Sequence, residues 1–472
     1  MGAPLDPSGF QINAVIKTTD GGSVNLWMNT NKDGVDDSTV SLPSSVGGLS
    51  GMGGGSESLA DLSGMDLPYL ESVDVEITLG LSARITASVA APFDIGLMLL
   101  DTSLFQVGNF IEVQIGYPRL GRFTPWVSAM MSKPSIRING DEGLTVTING
   151  DGGSFASLRG VSSEVFSGKS YRDIIQTIAE RHKWGVVFPE SGSETPLNKT
   201  REAVSQENQS DWFFIQKLAR ASACDVFLGP DDDGKRTLFV LQRKDALRQQ
   251  PGYRFLMRGS PDFDKSFPIL NFESEAEGVW LPGAAISTRS SDLDPDTGAL
   301  IDELFTAETT QEPSLGDTGV PGDTAVTVEG EQAQLSASGG DSQRSGVHLP
   351  TSARDPRGIE DLAQAHRDES AIRGGINASI SSYGIPELFP GDVVEVLGLG
   401  IFNSNYYVHR LTWSANVSEF TMRLMCINNA TASGIVDNVF LNPPTSSNTE
   451  QVPEGLPSDS GASLLVEAEE IT

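Results

Sequence analysis

The sequence predicts a mainly β protein with an α+β insertion: two antiparallel β-barrel regions, one early and one late, with a small helical module between them. Three observations predict it. Residues 73–89 alternate apolar and polar without an error. Between 165 and 245 the apolar period lengthens to that of a helix, and from 376 to 428 it shortens to two again.

Residues 1–70 read as an N-terminal extension. "GFQINAVIKTTDGGSVNLWMNTNKDGVDD" has the pattern of a hairpin or two, and "SSVGGLSGMGGGSES" has the composition of a flexible linker. Residues 71–160 form the first barrel domain. Val73, Val75, Ile77, Leu79, Leu81, Ala83, Ile85, Ala87 and Val89 share one side, and Asp74, Glu76, Thr78, Ser82, Arg84, Thr86 and Ser88 lie on the other. Fully extended, that run would span about 56 Å, far beyond an ordinary strand, so a turn is expected near Gly80–Ser82. "FIEVQIGY", "PSIRING" and "LTVTING" continue the alternation, and "PFDIGLMLL" (92–100) suggests a short helix between strands.

Residues 161–250 form the inserted module. Tyr171, Ile174, Ile175 and Ile178 mark one helical face, and Ser170 with Asp173 gives a capping-box start. Ser210 is the expected N-cap of a second, dense helix bearing Phe214, Ile215 and Leu218 on its face. A hairpin with an Asp231–Asp233 turn follows. Residues 251–357 read as a strand-rich connection with an acidic flexible segment. Residues 358–429 form the second barrel domain, opening with a helix over 358–374 (Ile359, Leu362, Ala363 and His366 on one side), and 430–472 form a tail.

The formal charge of -31 is unevenly placed: Ser291–Gln343 holds twelve acids and no Lys or Arg, and the chain beyond Arg423 holds seven more acids and no base. Both stretches are rich in Gly, Ser, Thr and Pro, the composition of solvated chain. The basic footprint of a duplex-binding protein is missing. No apolar run approaches the roughly 18 residues of a bilayer span, and "MGAPLDPSGF" does not read as a secretory signal.

No catalytic, cofactor-binding or metal-binding residue is assigned from the sequence. His182, His348, His366 and His409 stand far apart and outside any metallopeptidase spacing. Nucleophile-elbow and phosphate-loop motifs are absent. Cys224 and Cys426 sit in apolar strand patterns and read as buried thiols. No acid stands in an apolar context suited to the raised pKa that a glycosidase pair needs. Asn29, Asn31, Asp33 and Asp37 fall at calcium-loop positions, but Val40 replaces the bidentate Glu. An Asx-rich turn is the reading favoured there, and calcium binding stays open.

Taken in order, "SYRDIIQTIAERHKW", "QENQSDWFFIQKLARASACDVFL" and "YGIPELFPGDVVEVLGLGIFNSNYYVHRLTWS" resemble the baseplate or tail hub proteins of contractile-tailed phages and related injection machines. This is the late control gene D family, which includes the N-terminal hub part of type VI spike proteins. Gly384, Pro386, Pro390, Gly391, Asp392, Val394, Val396, Gly398, Tyr407 and Val408 match the family's glycine-punctuated pattern, with Trp413 near its end. The resemblance covers roughly residues 70–250 and 358–428; residues 1–70 and the 290–345 insert have no counterpart.

The resemblance implies two barrels like those of tail-tube proteins and a non-enzymatic homotrimer. That trimer would join a hexameric tube to a trimeric central spike in the virion's tail baseplate, after synthesis in the host cytoplasm. The implied partners are the tail-tube or tube-initiator protein, the central spike and the baseplate wedges, with DNA only as transiting cargo and no membrane. For a conduit, the polar face around Asp74 and Glu76 is expected to line the lumen with few bases. Two other readings remain: a baseplate-associated peptidoglycan hydrolase, and an extracellular β-rich adhesin or carbohydrate-binding protein. Whether the parent machine is a phage or a bacterial injection system stays open.

Overall fold

A computed structural model of the chain describes residues 9–19, 21, 23–27, 69–91, 104–139, 143–152, 160–190, 195–276, 287–293, 300–306, 315, 318–319, 326–328, 331–333, 376–428 and 430–431. The expected helices at 92–100 and 358–374, and the Asn29–Asp37 loop, lie outside the described residues.

A hairpin of β1 (Gln11–Lys17) and β2 (Ser23–Trp27) comes first. The error-free alternation then splits into β3 (Tyr69–Thr78) and β4 (Arg84–Ala91) around a turn at Gly80, as its length requires. β5 (Phe110–Tyr117), β6 (Arg122–Phe123), β7 (Val127–Met131), β8 (Ser135–Asn139) and β9 (Gly143–Asp151) follow. Pairing runs β3–β2–β1–β5–β7–β9–β4, and β4 pairs back onto β3. The sheet therefore curls into a barrel-like layer around Ile16, Val73, Ile77, Ile111, Val113 and Ile148, all fully covered. Two joints are thin: β2–β3 has one residue pair and β7–β9 has two.

The first hairpin was expected as a separate extension, and the structure corrects this. β1 pairs with β5 over seven residues and buries Ile12, Ala14 and Ile16 in the barrel core. The same period-two pattern that identified the hairpin gives it an apolar face that only a neighbouring sheet can cover.

The module consists of β10 (Val161–Ser170), α1 (Tyr171–Arg181), β11 (Gly185–Val187), β12 (Thr200–Ser210), α2 (Asp211–Arg220), β13 (Cys224–Pro230), β14 (Arg236–Gln242) and α3 (Arg243–Leu247). Ser170 and Asp173 make the reciprocal capping box, and the Ser210 hydroxyl accepts from the Phe213 amide at the start of α2. α1 and α2 pack Ile174, Ile175, Ile178, Phe214, Ile215 and Leu218 into a core of the module's own. Its small volume explains the density of large side chains in α2, since a small domain buries proportionally less surface. Leu218 is 3% exposed, whereas Phe213 on the same helix is 52% exposed. Leu218→Ala is expected to cost about 2–5 kcal/mol in chemical denaturation. Phe213→Ala is expected to stay within about 0.5 kcal/mol of the parent.

β15 (Tyr253–Leu256), β16 (Ser266–Pro268) and β17 (Asn271–Ala276) come next. Short strands follow: β18 (Ser287–Leu293), β19 (Leu300–Thr306), β20 (Thr318–Gly319), β21 (Val326–Val328) and β22 (Glu331–Ala333). The chain closes with β23 (Ile376–Tyr383), β24 (Val393–Leu397), β25 (Ser404–Asn416), β26 (Phe420–Asn428) and β27 (Ala430–Thr431). The second sheet pairs in the order β16–β15–β24–β25–β26–β23–β17.

Two expectations change here. β15–β17 belong to the second sheet and are not merely a connection to it. The acidic stretch also carries paired backbone: β18 with β19, β21 with β22, and β20 with β27.

The two barrel-like sheets are joined by β3 and β25, which pair antiparallel over seven residues from Arg410↔Thr78 to Asn416↔Ser72. Loop contacts reinforce this joint. The Tyr117 hydroxyl donates to the Gly384 carbonyl at 3.1 Å, and Arg122 holds Glu387 through two bonds of 2.7 and 2.8 Å. Gly384 lies flat against the Phe420 ring with no room for a Cβ. Gly391 combines a φ of 99° with contact to Leu241, so both motif glycines are required by close approach.

Candidate functional site

Because β3 and β25 pair side by side, the polar faces of several strands merge into one surface. Parity dictates which residues share it. Opposite the buried pairs Leu411↔Ile77 and Trp413↔Val75 stand Thr412↔Glu76 and Ser414↔Asp74. β4 and β9 extend the face with Arg84, Thr86, Asn149 and Asp151, and β26 adds Arg423 and Met425. Together they line an open concavity of about 870 Å³.

Of the seven polar residues read from the sequence, Asp74, Glu76, Arg84, Thr86 and Ser88 keep this face, while Thr78 and Ser82 are buried at 3% and 7% exposure. Their burial has a local cause: the β3–β4 turn docks on the module. The amide of Ala83 donates to the Leu228 carbonyl at 3.0 Å, that of Leu228 donates to the Leu81 carbonyl at 3.3 Å, and the Gln216 side chain donates to the Gly80 carbonyl.

The expectation of few bases is also corrected. Arg84, Lys133, Arg410 and Arg423 line the concavity with Asp74, Glu76 and Asp151. Each guanidinium has a carboxylate nearby: Arg84–Asp151 at 3.5 Å, Arg410–Glu76 at 3.9 Å and Arg423–Glu273 at 3.8 Å. The second and third are charge contacts at distances beyond a hydrogen bond. The face is mixed in sign, and the chain's acidity is concentrated elsewhere. Strand alternation around Phe420, Met422, Leu424 and Cys426 already implied Arg423 on an outer face. Its meeting with β3 left no sequence signal.

The module is fixed to the second sheet by a buried polar group. Arg243 at the start of α3 clamps Asp225 of β13 with bonds of 2.9 and 2.7 Å, and the Tyr407 hydroxyl donates to Asp225 at 3.0 Å. Burial alone would raise the Asp225 carboxyl, but Arg243 and Tyr407 outweigh it and hold the group below the usual carboxylate range. The same burial pushes the Tyr407 phenol well up.

Asp392 is an exception to the expectation that no acid suits a raised pKa. Burial raises its carboxyl. Its oxygen accepts from the Phe389 amide at 2.8 Å, which closes a turn. The Asp231–Asp233 stretch is the expected hairpin tip, with Asp231 accepting from the amides of Asp233 and Lys235. Cys224 and Cys426 are free and buried, and burial pushes the Cys224 thiol up to about 12. Among the described residues no helix is long and apolar enough to cross a membrane, and no cluster of His, Cys, Asp and Glu has metal-binding geometry.

The sequence matches the family of phage tail baseplate hub proteins over residues 107–416. The chain belongs to the phage tail baseplate hub family. No curated protein matches it. Among solved structures it is similar to a tail protein from Neisseria meningitidis MC58, at 11% identity and a TM-score of 0.49, covering 89% of this chain and 97% of that one. It is also similar to the 43 kDa tail protein of prophage MuSo2 from Shewanella oneidensis, at 11% identity and a TM-score of 0.47, covering 77% and 95% of the two chains. A third is an E. coli component of the type VI secretion system, at 9% identity and a TM-score of 0.43, covering 77% and 74%.

Proposed function

We propose that this hub protein works without catalysis, as a trimeric adaptor whose mixed-charge polar face lines the conduit between the tail tube and the central spike. The observation that carries this reading is the β3–β25 joint, which sets two barrel-like sheets of one chain side by side with their polar faces continuous. Three copies would present six such sheets in a closed ring, matching a hexamer above and a trimer below. Family membership supports placement in the tail baseplate, with the tube, spike and wedge proteins as neighbours.

The character of the face suits passage of a polyanion. Unpaired Lys or Arg would hold phosphates through counterion release. Three of the four bases lining the face, Arg84, Arg410 and Arg423, instead lie beside carboxylates, which lowers the affinity a passing chain would meet; the fourth, Lys133, is exposed at its rim.

The test is the mass of the assembled species. Native mass spectrometry or light scattering at high concentration is expected to give three copies. A hexamer would overturn the adaptor reading, as would a chain that remains single both in solution and in assembled tails.

A further inference from the structure

The helical module differs in charge from the rest of the chain. Residues 161–250 carry thirteen bases and thirteen acids, which leaves nineteen bases against fifty acids elsewhere. An acidic partner is therefore repelled by most of this molecule and least by the module.

Within the module, α2 presents one outer stripe. Its exposed residues are Phe213, Lys217 and Arg220, spaced four and three apart, so they form a row along the helix. Among the described residues neither cation pairs with a carboxylate. Their place in the last turn of the helix accounts for their sign but supplies no counter-charge. At the other end of the row, Ser210, the N-cap of α2, pairs with Val161, and Val165 follows on the same side of β10. Both valines are 64% exposed. The helix itself is fixed, because Gln216, between Phe213 and Arg220, donates to the Gly80 carbonyl of the β3–β4 turn.

We propose that this stripe docks an acidic amphipathic helix from a neighbouring tail protein outside the hub. An apolar side chain of that helix covers Phe213 and Val161, and its carboxylates, one turn apart, meet Lys217 and Arg220. A lone exposed aromatic needs no explanation. An aromatic in line with two unpaired cations, on a neutral module of an acidic chain, has the composition of an anchor. The row has the spacing by which one helix reads another. The placement of the neighbour in the tail rests on the family to which the chain belongs.

The test begins with the photo-reactive residue benzoylphenylalanine in place of Phe213 in the full chain. Assembled tails are irradiated and the cross-linked peptide is sequenced by mass spectrometry. The expected product is a segment of another tail protein whose acids and apolar residues recur at helical spacing. A labelled synthetic peptide of that segment is then titrated onto the isolated full-length hub. Binding should weaken as salt rises. Lys217→Glu with Arg220→Glu should weaken it about tenfold or more, and so should Phe213→Ala, with melting unchanged in both variants. Cross-links confined to the hub itself, to DNA or to a segment without acids would overturn the proposal. So would assembled tails that give no cross-link, or an affinity that the double variant leaves unchanged. None of these outcomes alters the number of copies in the assembled species, so the adaptor reading is tested separately.

Discussion

Trp413→Ala is expected to destabilise the protein by about 3–5 kcal/mol, the range for removing a large buried aromatic. Trp413 is fully buried, lies on β25 at the joint with β3, and pairs with Val75 on one side and Met422 on the other. Its ring stands edge-on to Phe389, 5.6 Å between centroids, and its indole N–H donates to the Ile385 carbonyl at 2.9 Å. Truncation opens a cavity at the seam of the two sheets and leaves that carbonyl without its donor, a further cost of about 1 kcal/mol or more. Denaturant unfolding measures the sum. Trp413→Phe refills much of the volume and should recover most of the loss. A loss below about 1 kcal/mol for the alanine variant would mean the seam is not a structural centre.

Arg243→Met should cost up to a similar amount, about 3–5 kcal/mol, because it leaves the largely buried Asp225 carboxylate without its cation. Its pH dependence separates this from loss of packing. In the parent, Asp225 is held below the usual carboxylate range, so its contribution is present above the unfolded pKa of about 3.9 and is lost as pH falls through the folded value. In the variant, burial raises the carboxyl, so the folded state takes up a proton that the unfolded chain lacks, and stability falls as pH rises. The deficit relative to the parent is therefore smallest near the acid end and widens toward neutrality. Thermal melts of both proteins from about pH 3.5 to 7 read it directly. Asp225→Leu combined with Arg243→Met should recover much of the loss, since an apolar replacement of both partners removes the stranded charge. A deficit independent of pH would assign the effect to the arginine's packing.

The sequence made visible whatever has a local period. The β3–β4 alternation, both capped helices and the apolar face of α2 were all readable from neighbours within a few residues. The membership of β1–β2 and β15–β17 in the two sheets was not, because a strand's pattern shows which face is buried but does not say which strand covers it. The β3–β25 joint links residues more than 300 positions apart, a separation at which alternation carries no information. The polar face was half legible for the same reason. Asp74, Glu76 and Arg84 were readable from the β3–β4 alternation, but Arg410 and Arg423 come from β25 and β26 and arrive only through pairing. Asp225 was hidden differently: an acid inside "CDVFL" gives no hint of its partners Arg243 and Tyr407.

A density map of the assembled hub tests the central claim most directly. The account expects three chains around the axis, with Asp74, Thr412 and Arg423 facing a continuous lumen and the helical modules outermost. Six chains in the ring, or a lumen walled by any other face of these sheets, would contradict it.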